Sequence, residues 1–189
     1  MMNRIADSGD ILLFTCNDFM SGVQRSITGS EYDHIAMFLR FANGQLVYFE
    51  SSANVGCQIF SWDYFFNNNI QKNFKKLAFR KLRVKRSKEK LADLEKFVQQ
   101  VRGNSYNLTL TKLFETTNDE DVKNVKKTKA YFCSELIASC HKVLDVFPEE
   151  LASTQYWPST FALPSPEIND NWVTKGSDAY FEDLQEILF

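Results

Sequence analysis

Four cysteines and two histidines limit where this 189-residue chain could build a nucleophilic centre. A cysteine nucleophile needs a base within hydrogen-bond reach, and the base needs a group that holds its ring. His141 lies eight residues after Cys133 on one helical pattern. That is about 12 Å along a helix axis at ~1.5 Å per residue, too far to touch. Its neighbour Cys140 points some ~100° away around the helix, so these two make no dyad. His34 is therefore the candidate base. Cys133 is the candidate nucleophile because it opens an amphipathic stretch, where free N–H groups and the helix dipole favour a thiolate. Cys16 and Cys57 lie in strand-like runs, and Cys140 lies on the apolar stripe of the helix. These three read as small buried hydrophobes.

Glu50 is the candidate for orienting His34. Residues 33–41 and 45–50 are aromatic and β-branched runs around Ala42-Asn43-Gly44, a hairpin signal. With a two-residue Asn43-Gly44 loop, Glu50 faces away from His34. With a three-residue loop, a type I turn closed by Gly44 in the left-handed region, Arg40 opposes Leu46 and Phe38 opposes Tyr48. His34 and Glu50 then become diagonal neighbours, roughly 7 Å apart at their backbones, a gap that a long carboxylate can close.

Around these residues the chain reads as strands, then helices, then an irregular tail. Asp10 to Cys16 (DILLFTC) is a buried strand, Ser21 to Ser30 a loop or short helix, and 57–60 and 77–84 are further strands. Ser87 can cap a helix over 87–102 with Leu91, Leu94, Phe97, Val98 and Val101 as its apolar stripe. Gly103 can close that helix. A second helix starts near Cys133 and carries Leu136, Ile137, Cys140, Val143 and Leu144. Three prolines, Pro158, Pro164 and Pro166, mark an irregular wrap over the surface. Segregated elements of this kind imply an α+β layer architecture.

Composition narrows the class. A 44% hydrophobic and 24% charged chain of this length is an ordinary globular protein of about one domain. A net charge of -2 makes no case for nucleic acid. The four cysteines are too few and scattered for a disulfide scaffold, which points to a reducing, cytoplasmic compartment. The first ten residues carry Arg4, Asp7 and Asp10 and do not read as a secretory leader. No apolar stretch approaches the ~20 residues of a membrane span. No Gly-rich phosphate loop and no Cys/His metal cluster is present, so neither a cofactor nor a metal is expected. Lys72 to Lys90 holds ten cations against Glu89 alone. It could touch anionic lipid or an acidic protein, or be a solvated edge strand and helix start.

Five segments carry a family resemblance: GDILLF (9–14), YDHIAMFLR (32–40), LVYFESS (46–52), GNSYN (103–107) and YFCSELIASC (131–140). Together, in this order, they resemble the permuted papain-like amidases, the YiiX-like branch of the NlpC superfamily, related to poxviral proteins and the lecithin retinol acyltransferase group. In that family the histidine and its polar partner precede the cysteine, as His34 and Glu50 precede Cys133 here. The resemblance implies a circularly permuted papain-like (NlpC-like) fold, an antiparallel sheet packed on helices, over a catalytic domain at residues 1–165. It also implies that Tyr106, in a Gly-x-x-Tyr element, lies beside the nucleophile and helps to form an oxyanion hole with the Cys133 N–H. A tyrosine that fills the core is the other reading of Tyr106. The charged insert Thr116 to Lys129 departs from the family. So does the extension 166–189, which either packs on the domain or engages a partner.

The expected activity is hydrolysis of an amide or ester through a thioester on Cys133, with a small peptide, an N-acyl amino acid or a lipid as substrate. Acyl transfer to another nucleophile and a non-catalytic binding or structural module on the same fold are the alternatives.

Overall fold

The computed structural model describes residues 2–17, 29–106 and 130–189; the charged insert at 116–129 and most of 21–30 lie outside them. In chain order the elements are α1 (Met2–Ile5), β1 (Ile11–Cys16), β2 (His34–Arg40), β3 (Leu46–Ser52), β4 (Gly56–Ser61), α2 (Trp62–Asn67), β5 (Phe74–Arg80), β6 (Leu82–Arg83) and α3 (Lys88–Val101). They continue with α4 (Cys133–Val143), α5 (Pro158–Ala162), α6 (Ser165–Asn171), β7 (Tyr180–Phe181) and β8 (Gln185–Glu186). Six strands make one antiparallel sheet in the order β4-β3-β2-β1-β5-β8, and β6 pairs with β7. The chain is thus an α+β protein with an antiparallel sheet packed against helices.

β1 and β2 are near-continuous apolar runs because they lie inside the sheet and are covered on both faces. On one face Ile11, Leu13, Ile35, Met37 and Phe49 meet Leu94, Phe97 and Val101 of α3 and Leu136, Ile137 and Cys140 of α4. On the other, Leu12, Phe14, Phe38, Tyr48 and Leu77 meet Trp62 and Phe65 of α2. Each fully buried side chain of this size contributes about 1.5–3 kcal/mol. The Ser87 hydroxyl caps α3 by accepting from Lys90 N at 3.2 Å. Gly103 follows it in the left-handed region at φ 87°. Ser61 caps α2 in the same way from Tyr64 N at 3.3 Å, so the aromatic run WDYFFN coils instead of extending the preceding strand.

The proline-rich stretch is not the surface wrap expected from its composition. Tyr156, Phe161, Ile168 and Phe181 are fully buried in the same core as α4. The prolines stand in the first turns of α5 and α6, where a missing N–H costs no intrahelical bond. Trp172, Leu184 and Ile187 are half-buried, whereas Leu188 and Phe189 are 87% and 54% exposed. The strand expected over 77–84 divides into β5 and β6.

Much of the basic stretch is engaged within the chain. Asp10, fully buried, receives Lys81 at 2.9 Å, Arg86 at 3.0 Å and Leu82 N at 2.9 Å. Lys76 reaches Glu31 and Glu186, Arg83 reaches Glu182 and Lys90 reaches Asp145. Burial raises the Asp10 carboxyl above its ordinary value, and the Lys81 ammonium works against that rise. Among the described residues no helix is long and apolar enough to cross a membrane.

Candidate active site

The hairpin chemistry decides the geometry of the site. Phe41 N donates to Gln45 O at 3.0 Å and Gly44 N to Phe41 O at 2.8 Å, with Gly44 at φ 84°. This is the three-residue turn, and it sets Arg40 opposite Leu46 and Phe38 opposite Tyr48. The β2–β3 ladder ends at the pair Met37–Phe49, one step before Ala36 and Glu50 would pair. Beyond it the first residues of β2 stay on β1, with Phe14 paired to His34, while Glu50 pairs with Gln58 of β4. The two strands splay there, and their side chains close the gap. His34 Nε2 lies 2.7 Å from Glu50 Oε2, and the two side chains are only 15% and 14% exposed.

The ring nitrogen that meets Glu50 is Nε2. The Phe14 ring, its centroid 5.2 Å from that of His34, packs against the imidazole. A backbone anchor sits just upstream: the Asp33 carboxylate accepts from Cys16 N at 3.1 Å, and Asp33 N donates to Phe14 O at 3.1 Å.

Cys133 is the first residue of α4 and is 4% exposed. Helix α4 packs across β2 and β3, which brings its N-terminus to the splayed end of the sheet. Glu135 supports that end by accepting from Phe132 N at 3.3 Å. The Cys133 thiol is near enough to His34 to favour a charge on its ring. With Nε2 given to Glu50, Nδ1 is the nitrogen left for the thiol. Burial opposes a charge on His34, but the Glu50 carboxylate, its hydrogen bond and the nearby Cys133 outweigh it and raise its pKa to about 10. A positive charge on the ring is thus favoured by its neighbours despite burial.

Tyr106 is half-buried and forms a parallel bridge with Tyr131, two residues before Cys133. Burial pushes its phenol above the ordinary tyrosine value, and Cys133 is near enough to add to the effect. Tyr106 accordingly keeps its O–H. His34, Glu50, Cys133 and Tyr106, widely separated in sequence, thus come to one end of the sheet.

The other thiols and the second histidine are elsewhere. Cys57 and Cys140 are fully buried, Cys16 is half-buried, and all four cysteines are free. His141 sits inside the core with ring nitrogens 2.9 Å from Ile137 O and Gly9 O, and burial lowers its pKa to about 4.

Ser51 was not legible as a site residue. It follows Glu50, is fully buried, and donates from Oγ to Tyr131 O at 2.7 Å, which ties β3 to the segment that leads into Cys133. In the sequence it is the middle one of three consecutive polar residues, Glu50, Ser51 and Ser52, that end an apolar strand. Among the described residues no group of three or more His, Cys, Asp or Glu side chains is placed to hold a metal ion. A groove of about 510 Å³ bordered by Trp62, Phe66, Phe79 and Ile187 includes none of the four site residues.

No family model matches the sequence, and no curated protein matches it. Among solved structures, the metalloprotein YiiX of Escherichia coli O157:H7 (DUF1105) has a similar fold, with a TM-score of 0.51 and 17% sequence identity. The superposition covers 74% of this chain and 66% of that one, so the chain spans just under two thirds of its neighbour's length. At this identity the likeness is one of fold.

Proposed function

We propose that this chain is a cysteine hydrolase of the circularly permuted papain-like (NlpC) type, cleaving an amide or ester bond through a thioester on Cys133. The observation that carries the reading is His34, held at 2.7 Å by Glu50 and close enough to feel a thiol at a helix N-terminus. A nucleophile, a base and an orienting carboxylate in that order are what thiol-dependent acyl transfer requires.

The steps follow from the protonation states. The neighbours that favour a charge on His34 suit a resting pair of imidazolium and thiolate in this reading. Cys133 sulfur attacks the substrate carbonyl carbon, and the carbonyl π pair moves onto oxygen. The Cys133 N–H and the Tyr106 O–H are the donors proposed to hold that oxyanion. His34 then gives its proton to the departing amine or alcohol, and the carbon–heteroatom bond breaks to leave the thioester. A water molecule, losing its proton to His34, attacks the thioester and releases a carboxylic acid and Cys133. Glu50 keeps the ring oriented and stabilises its positive charge throughout.

The catalytic unit in this reading is residues 1–165, with 166–189 as an extension. The free thiols fit a reducing compartment such as the cytoplasm. The substrate classes are a small peptide, an N-acyl amino acid or a lipid. If the basic stretch contacts anionic lipid or an acidic protein, it does so through Lys72, Lys75, Lys85 and Lys88.

The test is turnover on a panel of peptide amides, N-acyl amino acids and lipid esters. Cleavage by the wild-type protein that is abolished in Cys133→Ala supports the reading. Cleavage that survives in Cys133→Ala rejects it.

A further inference from the structure

One glycine is placed where no other residue fits, and it lies against the segment that carries Tyr106. Gly56 opens β4 at φ 67°, in the left-handed region. A Cβ built on it would stand 2.2 Å from the backbone oxygen of Asn104 and 3.4 Å from Cα of Ser105. The atom in the way is main chain, not the free end of a side chain, so no rotamer change relieves the clash.

The close approach serves a short ladder. Cys57 N donates to Asn104 O at 2.9 Å, and Gly103 N donates to Cys57 O at 2.8 Å. The same segment then passes to the nucleophile's side: Tyr131 N donates to Ser105 O at 3.1 Å, and Tyr106 bridges Tyr131. Ser51 completes the frame by holding Tyr131 O at 2.7 Å from β3. The hairpin of β3 and β4 therefore fixes the 103–106 segment from one side and the 131–133 segment from the other. Glu50 sits on that same hairpin.

We infer that Gly56 is a positioning residue: by admitting the Asn104 carbonyl against β4 it sets the distance of the Tyr106 hydroxyl from Cys133, with Ser51 as the second clamp. The inference rests on the hydrolase reading above and deepens it, because it assigns the oxyanion donor's placement to a residue that touches no substrate. A methyl group at position 56 displaces the 104–106 backbone by roughly 1 Å, a scale on which misplacement of a reacting group costs up to ~10²-fold in rate. The displacement acts on Tyr106 and leaves His34 on β2 and Glu50 paired to Gln58.

Two reagents separate this role from a merely structural one. Iodoacetamide alkylates a thiol by displacement at a saturated carbon and forms no oxyanion. p-Nitrophenyl acetate acylates it through a tetrahedral oxyanion. For Gly56→Ala we expect the acylation burst at Cys133 to slow at least about tenfold, below the ~10²-fold of losing an oxyanion donor outright. Alkylation of Cys133 by iodoacetamide should stay within about twofold of wild type, since the dyad is untouched. In a Tyr106→Phe background the same substitution should add less than about twofold, because the donor it displaces is already gone.

Ser51→Ala, which removes a hydroxyl without adding bulk, serves if Gly56→Ala does not fold. It should show the same selective slowing of acylation and the same dependence on Tyr106. The inference is overturned if these variants acylate at the wild-type rate, if alkylation slows as much as acylation, or if the full loss persists in Tyr106→Phe. If wild-type Cys133 is not acylated at all, the hydrolase reading itself falls and the inference with it. Wild-type acylation with an unaffected Gly56→Ala removes the inference alone.

Discussion

Helix α4 carries two cysteines and a histidine, and its two ends treat the same chemistry in opposite ways. At its N-terminus Cys133 meets His34, whose charge is favoured by Glu50 strongly enough to overcome burial, with a pKa of about 10. In its last turns burial raises the Cys140 thiol well above the ordinary range, with nearby Cys57 adding to it. There burial also lowers His141 to about 4. His141 is packed among the rings of Phe147, Phe161 and Phe181, with centroid distances of 5.1, 5.9 and 5.4 Å. Its two ring nitrogens face carbonyl oxygens, and a neutral ring can donate to only one of them. Burial is common to both histidines. The deciding difference is a full negative charge 2.7 Å away in one case, and in the other backbone carbonyls with the Arg86 cation opposing a charge.

The largest break in this comparison is expected from the thiols. Cys133→Ala should abolish thioester formation and turnover, whereas Cys140→Ala should leave both intact and lower the melting temperature by opening a small cavity. Mass mapping of an acyl adduct and a thermal melt on each variant read the two effects. Loss of acylation in Cys140→Ala would show that the two ends of the helix are not chemically distinct.

The next effect is that of the orienting carboxylate. Glu50→Gln keeps the size of the side chain and removes the charge, so turnover should fall by about 10²-fold or more, within the range of acid–base contributions. The His34 ring should then titrate closer to the ordinary value near 6.5, which NMR of the ring protons measures. Turnover at the wild-type rate would demote Glu50 to a structural polar residue.

The two histidines should also shape stability against pH in opposite windows. The folded pKa of His34 lies above its unfolded value of about 6.5. Its stabilising contribution is therefore complete below pH ~6.5 and is lost as pH rises through about 10. The folded pKa of His141 is depressed, so the unfolded chain takes up a proton that the folded chain refuses. Stability from this group falls as pH drops from ~6.5 through about 4. Melting temperatures across pH 4–10 should show the alkaline loss weakened in Glu50→Gln and the acid loss weakened in His141→Gln. An acid limb unchanged in His141→Gln would remove that histidine from the account.

What could be seen in the sequence follows the range of the forces involved. The hairpin register was legible because it is set by Ala42-Asn43-Gly44, a local turn whose chemistry permits few geometries, and the closeness of His34 and Glu50 follows from it. The helices at Ser87 and Cys133 were legible from a cap and an apolar stripe. The choice of Nε2 over Nδ1 was not, because it depends on packing against Phe14 and on strands that splay after Met37 and Phe49. The burial of Tyr156 and Phe161 was also hidden. Their segment has the composition of a loop, and only long-range packing onto Phe147, at ring distances of 4.4 and 5.7 Å, places them in the core. Helix α2 was missed because an aromatic run resembles a strand until Ser61 is recognised as its cap.

The central claim is that Cys133 forms a thioester with the help of His34. It is tested most directly by treating the native protein with p-nitrophenyl acetate, quenching in acid and mapping the adduct by peptide mass spectrometry. The account predicts one acetyl group on Cys133, released by neutral hydroxylamine and absent in His34→Ala. An adduct on another residue, or an equal yield on Cys133 in His34→Ala, would contradict it.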